Sequence, residues 1–371
     1  MHAEHHQEPF TALRTLLRSF GQIVLQRDAR TGACVLAAWL VCDPRLACAA
    51  STGAIAANVG AVLRGYDPGE TRDGLHGFNG ALAALAAFTF VADDATAMAI
   101  AILAATAAAW FLGPWARLLR SRGLGYYSSP CLLVTWTWLP IVHGAFAASS
   151  VGAGVGLSVG GNASDAVAWM PFARALLAGI AQTSFASTAW AGLLILAGIA
   201  MSSMRCAAFA LAGAALATAA HSLIGVDTLS LDAGLWGFNG ALTALALADC
   251  GALAALVGVC VSISLQQAAA FSGVPVLTAP FVVATWTVSH FMRDTRDTHI
   301  SLNTSSFDSA AKRSADIGDS EEPRRFARTL KRRASATLLY ENGRHHVICT
   351  HARRPHRAVN ADVGSRAAHP R

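Results

Sequence analysis

The chain repeats itself. A block that opens Gly74-Leu-His-Gly-Phe-Asn-Gly and runs on through alanine and leucine returns 160 positions later as Gly234-Leu-Trp-Gly-Phe-Asn-Gly. The same offset sets Gly21-Gln22 against Ala181-Gln182, Leu25 against Phe185 and Gly32 against Gly192. A second block, Ser128-Ser-Pro-Cys-Leu-Leu-Val-Thr-Trp136, returns at an offset of 150 as Thr278-Ala-Pro-Phe-Val-Val-Ala-Thr-Trp286. Two blocks recurring in the same order identify a duplication, so any fold has to give both halves equivalent surroundings.

Composition supplies the solvent. Of 371 residues 54% are hydrophobic and only 13% are charged, about half the share of a soluble domain. Apolar segments recur at 31–42, 46–63, 74–90, 95–112 and 130–148, then at 172–198, 206–224, 234–248, 251–271 and 274–292. A full crossing of a bilayer takes about 20 apolar residues, and several segments are shorter. Short apolar segments in matching positions of two halves mark a pore or transporter site, where polar backbone is tolerated because it lines a cavity or is buried in protein.

Charge sorts along the chain. Residues 1–292 hold 12 Arg and no Lys against 13 acids, and residues 293–371 hold 16 basic residues against 9 acids. The net charge of +6 therefore belongs to a tail and does not indicate nucleic acid. With a cytoplasmic N-terminus, Arg64, Arg72, Arg117, Arg120, Arg122, Arg205 and the tail fall on the inner side. Asp43, Asp93, Asp94, Asp165, Asp227 and Asp232 fall on the outer side, with Arg45 and Arg174 as exceptions. This is the positive-inside asymmetry, and it predicts ten crossings with both termini cytoplasmic. Five crossings per half is an odd number, so the halves lie inverted about an axis in the membrane plane. The expected fold is an all-α polytopic membrane protein of two inverted-topology halves, about five transmembrane helices each, with short re-entrant pore helices. The expected organisation is an N-terminal cytoplasmic segment at 1–20, repeats at 21–150 and 151–292, and a basic disordered tail at 293–371 that touches solvent or lipid headgroups.

The repeated blocks have a chemistry of their own. Glycine-rich turns such as Gly74 to Gly80 let backbone leave a helix beside a lumen. Asn79 and Asn239 stand where each turn feeds a new helix, and their side chains suit freed backbone groups that lipid leaves unsatisfied. Phe78 and Leu82, like Phe238 and Leu242, are four apart and share a helix face. Two such faces meeting across a pseudo-two-fold axis form a flat apolar slot. Hydroxyls at Ser128 and Thr278, beside Pro130 and Pro280, offer polar atoms along it.

On these residues the chain resembles the urea transporter family: the paired Gly-x-x-Gly-Phe-Asn-Gly blocks (Gly77, Asn79, Gly80 and Gly237, Asn239, Gly240), the Val274-to-Phe281 block, and the regions around Gln22 and Gln182 that open the two halves, over about residues 18–292. The resemblance implies a urea channel with a pore through each protomer of a homotrimer. It also implies an aromatic slot of Phe78, Phe185 and Phe238, with Leu25 where a fourth Phe is usual and Leu82 and Leu242 completing the constriction. Gln22 and Gln182 would then stand at the two mouths, and Ser128 and Thr278 at the centre. Three departures stand out: Leu25 removes a stacking face, Gln182 replaces an acid, and Arg27-Asp-Ala-Arg-Thr-Gly32 makes one mouth more charged.

The expected function is passive transport of urea across a cell inner membrane, with the lipid bilayer as surroundings and no cofactor, metal or nucleic-acid partner. An ammonia or short-chain amide channel is the alternative. Paired pore histidines would suit ammonia, but His76 is matched by Trp236 and His143 by Arg293. A lipid-boundary or helix-capping role is expected for His76, His143, His221 and His290. An intramembrane enzyme is the rival from another class, yet no His-Glu-x-x-His motif occurs and Ser128 has no His partner in sequence. Scarce intramembrane carboxylates argue against proton coupling. The eight cysteines form no Cys-x-x-Cys pair and read as small apolar residues.

Overall fold

Helix starts carry the duplication into three dimensions. Asp28, Asp43 and Asp67 each accept a backbone N–H from the first turn that follows, at 2.9, 2.9 and 2.8 Å. Thr188, Ser203 and Asp227, each 160 positions on, do the same at 3.2, 3.2 and 2.9 Å. Side-chain oxygens at N-caps satisfy donors that a helix start leaves over, so identical spacing of caps gives identical spacing of helices.

In this computed structural model, residues 7–149, 169–270 and 275–293 are described. The first series is α1 (Gln7–Ile23), α2 (Ala29–Cys42), α3 (Pro44–Leu63), α4 (Pro68–Arg72), α5 (Gly77–Phe90), α6 (Asp94–Ser121) and α7 (Ser129–Ser149). The second is α8 (Trp169–Gln182), α9 (Ala189–Ser202), α10 (Met204–Ile224), α11 (Thr228–Asp232), α12 (Phe238–Leu247), α13 (Ala252–Ala270) and α14 (279–293). No strand occurs among the described residues. Beyond its first residue, the tail expected at 293–371 lies outside what is described, as do Asp165 and the His143 side chain.

Among the described residues four helices are long and apolar enough to cross a membrane, and they are two repeat pairs: α3 with α10, and α6 with α13. They expose large apolar side chains such as Leu63, Leu103, Leu223 and Leu253, which water would penalise and lipid does not. Of the shorter apolar helices, α5 is buried without interruption from Gly77 to Ala87. The protein is thus an all-α polytopic membrane protein.

One expected crossing divides in two. The stretch 172–198 is α8, a break at 183–188, and α9. Phe185 there has φ 63°, and Leu25, at the equivalent break between α1 and α2, has φ 58°. A left-handed residue cannot continue a right-handed helix, so the apolar run ends as a helix while continuing as sequence. α1 likewise runs on from Gln7 past residue 20, bringing Phe20 and Ile23 into the core.

Close helix crossings use glycine in both halves. A Cβ added to Gly53 of α3 would collide with the Gly80 carbonyl oxygen of α5, and one added to Gly213 of α10 with that of Gly240 in α12. Small residues let helix backbones approach where lipid gives no hydrophobic drive to associate. The two series meet along α2 and α9, where Thr31 Oγ1 donates to the Gly198 carbonyl at 2.7 Å. They also exchange a reciprocal pair of bonds: Trp136 Nε1 donates to the Pro275 carbonyl at 3.0 Å, and Trp286 Nε1 to the Gly125 carbonyl at 2.7 Å.

Candidate functional site

Four non-glycine residues among those described have positive φ: Leu25, Tyr127, Phe185 and Leu277. Bulky residues avoid that region, and such outliers persist where surrounding structure over-determines them. They form two repeat pairs. Leu25 and Phe185 are themselves expected slot residues, and Tyr127 and Leu277 directly precede Ser128 and Thr278.

The first pair is held by turns of one design. The Leu25 N–H donates to the Gln22 carbonyl at 3.0 Å and the Phe185 N–H to the Gln182 carbonyl at 3.2 Å. Gln22 Nε2 then donates to the Asp73 carbonyl and Gln182 Nε2 to the Ala233 carbonyl, both at 3.0 Å. Gln22 is buried, and its Oε1 has no hydrogen-bond partner among the described residues.

The second pair is held by asparagine. Asn79 Nδ2 donates to the Tyr127 carbonyl at 3.2 Å while its Oδ1 accepts the Cys131 N–H at 3.1 Å. Asn239 repeats this with the Leu277 carbonyl at 3.1 Å and the Phe281 N–H at 3.3 Å. Each Asn, fully buried at the start of α5 or α12, satisfies backbone groups that the left-handed residue removes from helical bonding. The consequence lies one residue on. Ser128 and Thr278, 150 positions apart, face each other with hydroxyl oxygens 2.7 Å apart. α7 and α14 begin at the next residue, with Pro130 and Pro280 in their first turns, where a missing N–H costs nothing. Two helix N-termini, each with partial positive charge, therefore converge on one pair of hydroxyls.

Leu25, Phe78, Leu82 and Leu242 belong to one buried cluster, with Phe185 and Phe238 packed against it. Gln182, Phe185, Phe238, Leu82 and Thr278 line a single cavity of about 1260 Å³. Leu82 comes from the first half and the others from the second, so both halves wall it. Trp236, Gln266 and Val276 join the lining; none of them was singled out from sequence as a lining residue.

The two halves differ in charge here. In the first half Asp73 pairs with Arg27 at 3.2 Å and Arg18 at 3.5 Å, and Arg120 pairs with Glu70 at 2.7 Å. Offsets of 160 and 150 put Ala233, Ser187, Ala178, Ala270 and Ser230 at the matching positions, so the second half lacks these ion pairs. The extra charge expected near Arg27 is therefore paired. A smaller cleft of about 360 Å³ lies on this side, lined by Tyr66, Glu70, His76, Arg120 and Tyr126 among others. Leu25 and Phe78 are buried and do not line it, and the Phe78 ring stacks on Tyr126 with centroids 6.2 Å apart. Tyr126 escaped the sequence reading, although setting it against Val276 at the offset of 150 exposes the difference.

The expected lipid-boundary or capping role fails for two histidines. His76 is buried at the N-cap of α5 with no side-chain capping bond; its ring stacks on Tyr66 at 5.3 Å and its Nδ1 lies 3.1 Å from Thr71 Oγ1. His221 is fully buried in α10, its ring 4.7 Å from that of Trp236. Both are aromatic neighbours in protein, away from lipid.

Comparison with known proteins agrees with this architecture. A search of curated proteins finds no match. The family model described as Urea transporter matches residues 13–293, about three quarters of the chain. That family moves urea across membranes and is one of transporters, not of enzymes. The match takes in every described helix but the opening of α1, and with it the paired turns, the asparagine clamps and the hydroxyl pair; the chain belongs to the urea transporter family.

Proposed function

We propose that the chain is a passive urea channel whose pore runs between the two halves, through Ser128 and Thr278. The observation that carries this reading is the hydroxyl pair at 2.7 Å between two helix N-termini, with Thr278 sharing a cavity with Leu82, Phe185 and Phe238. In such a pair one hydroxyl donates to the other. By inventory, three lone pairs and one proton remain for a solute. Urea, with four N–H donors and a carbonyl, replaces its hydration shell on such a station without adding charge. The positive helix ends disfavour cations. Flat apolar walls from Phe78, Leu82, Phe185, Phe238 and Leu242, with Leu25 as a thinner face, suit a planar solute. The Gln22 Oε1, without a partner among the described residues, and the Gln182 side chain at the other mouth accept its N–H groups in turn.

The reciprocal Trp136–Pro275 and Trp286–Gly125 bonds are the exchange that a two-fold pseudo-axis produces, and they support two halves, 21–150 and 151–292, in inverted arrangement. The reading extends to a homotrimer in a cell inner membrane with both termini cytoplasmic. Stopped-flow light scattering of proteoliposomes tests the channel. Urea equilibration faster than in protein-free liposomes is expected, and equal rates would end the urea reading.

A further inference from the structure

The halves agree at the site almost residue by residue, so a disagreement there carries information. Gln22 and Gln182 make one contact, Asn79 and Asn239 another, and Ser128 and Thr278 touch each other. Two residues before that hydroxyl pair, however, the first half has Tyr126 and the second has Val276.

The consequences differ at each mouth. Val276 and Phe238 line the same large cavity, and Phe238 is only half-buried. Tyr126 lines the first cleft, but Phe78, the counterpart of Phe238, does not. Phe78 is 2% exposed, and the Tyr126 ring lies over it at 24° between planes. A phenol ring covers an aromatic face that an isopropyl group leaves open.

We propose that Tyr126 is the residue that shuts the first mouth and limits which solutes pass it, a role that rests on the urea-channel reading for its solute. A planar solute between two rings needs about 7 Å between their planes, twice an ordinary carbon–carbon contact. The observed 6.2 Å between centroids leaves no such gap. A solute stacking on the face of Phe78 that Tyr126 covers therefore has to displace the Tyr126 ring. Its backbone does not yield easily: the Tyr126 carbonyl accepts the Ser129 N–H at 3.0 Å, and Trp115 Nε1 holds Ser129 Oγ at 2.8 Å. Motion falls to the side chain. The surrounding ion pairs of Asp73 and Glu70 leave the ring as the movable part of this mouth.

Two readouts test this on the full-length protein in proteoliposomes: urea flux by stopped-flow, and hydroxyl-radical footprinting of Phe78 and Phe238 by mass spectrometry. Tyr126→Val, which copies the second half, is expected to raise urea flux about threefold to tenfold, the factor that one lost aromatic contact takes off a barrier. It is also expected to make Phe78 as reactive as Phe238. Tyr126→Phe keeps the ring and keeps Phe78 protected. Val276→Tyr, made independently, protects Phe238 and slows flux. Equal labelling of Phe78 in wild type and Tyr126→Val overturns the proposal. So does unchanged flux of Tyr126→Val when wild type conducts. Footprints that shift as expected while no variant conducts urea sustain the shutter and refute the urea reading.

Discussion

Replacing Thr278 by Val removes one oxygen and keeps the shape of the side chain. Both hydroxyls of the central pair are buried, Ser128 at 5% and Thr278 at 9% exposure, so bulk water does not replace what is lost. Two effects follow, and they separate. In the resting protein Ser128 loses its 2.7 Å partner, and an unsatisfied buried hydroxyl costs about 1–3 kcal/mol of stability. In the proposed pore the solute loses an acceptor at its most dehydrated point. A hydrogen bond worth about 1.4 kcal/mol there corresponds to roughly tenfold in rate. Ser128→Ala is expected to slow flux similarly. If the two hydroxyls form a single station, the double variant falls well short of the roughly hundredfold loss expected of independent sites. Stopped-flow urea flux, normalised to the protein that elutes as a single species and paired with thermal unfolding in detergent, measures both effects. Flux of Thr278→Val within twofold of wild type would show that solute does not pass between these hydroxyls, whatever the melting temperature does.

Other expectations concern the slot and its supports. Phe238→Ala widens a wall of the cavity and should relax discrimination between urea and bulkier amides; an unchanged permeability ratio removes Phe238 from the slot. Asn79→Ala leaves the Tyr127 carbonyl and Cys131 N–H without their buried partner, at a cost of about 2–5 kcal/mol; a melting temperature equal to wild type would contradict the clamp. Gly53→Ala drives a methyl into the Gly80 carbonyl and should cost about 1–3 kcal/mol as overpacking, read as lost monodisperse yield. Gly60→Ala is its control, because a Cβ there meets its nearest atom at 3.5 Å, an ordinary contact.

The helix frame was legible because it depends on local signals. Caps at Asp28, Asp43 and Asp67 and their counterparts, prolines in first turns, and apolar runs between them act within a few residues. The break at 183–188 was not legible. Phe185 is apolar in an apolar run, and nothing local says that it turns left-handed. The site divides in the same way. Pairing Asn79 with Asn239 and Ser128 with Thr278 needs only the offsets, and a membrane setting makes buried backbone satisfaction the natural role for Asn. Tyr126 was missed because an aromatic residue in a glycine- and tyrosine-rich loop looks ordinary until its partner ring is known.

What the sequence by itself determined is the duplication, the membrane class, the family and the identity of the paired residues. Those follow from composition and spacing, which a chain carries without folding. Only the tertiary structure decided that hydroxyls 150 positions apart touch. The same holds for the ion pairs that form around Asp73 and Glu70 in the first half, and for the Tyr126 ring that stacks on Phe78. Those features arise from distances between distant segments. Such distances are set when glycine crossings, asparagine clamps and left-handed turns all lock together in a close-packed interior, and no single segment encodes them.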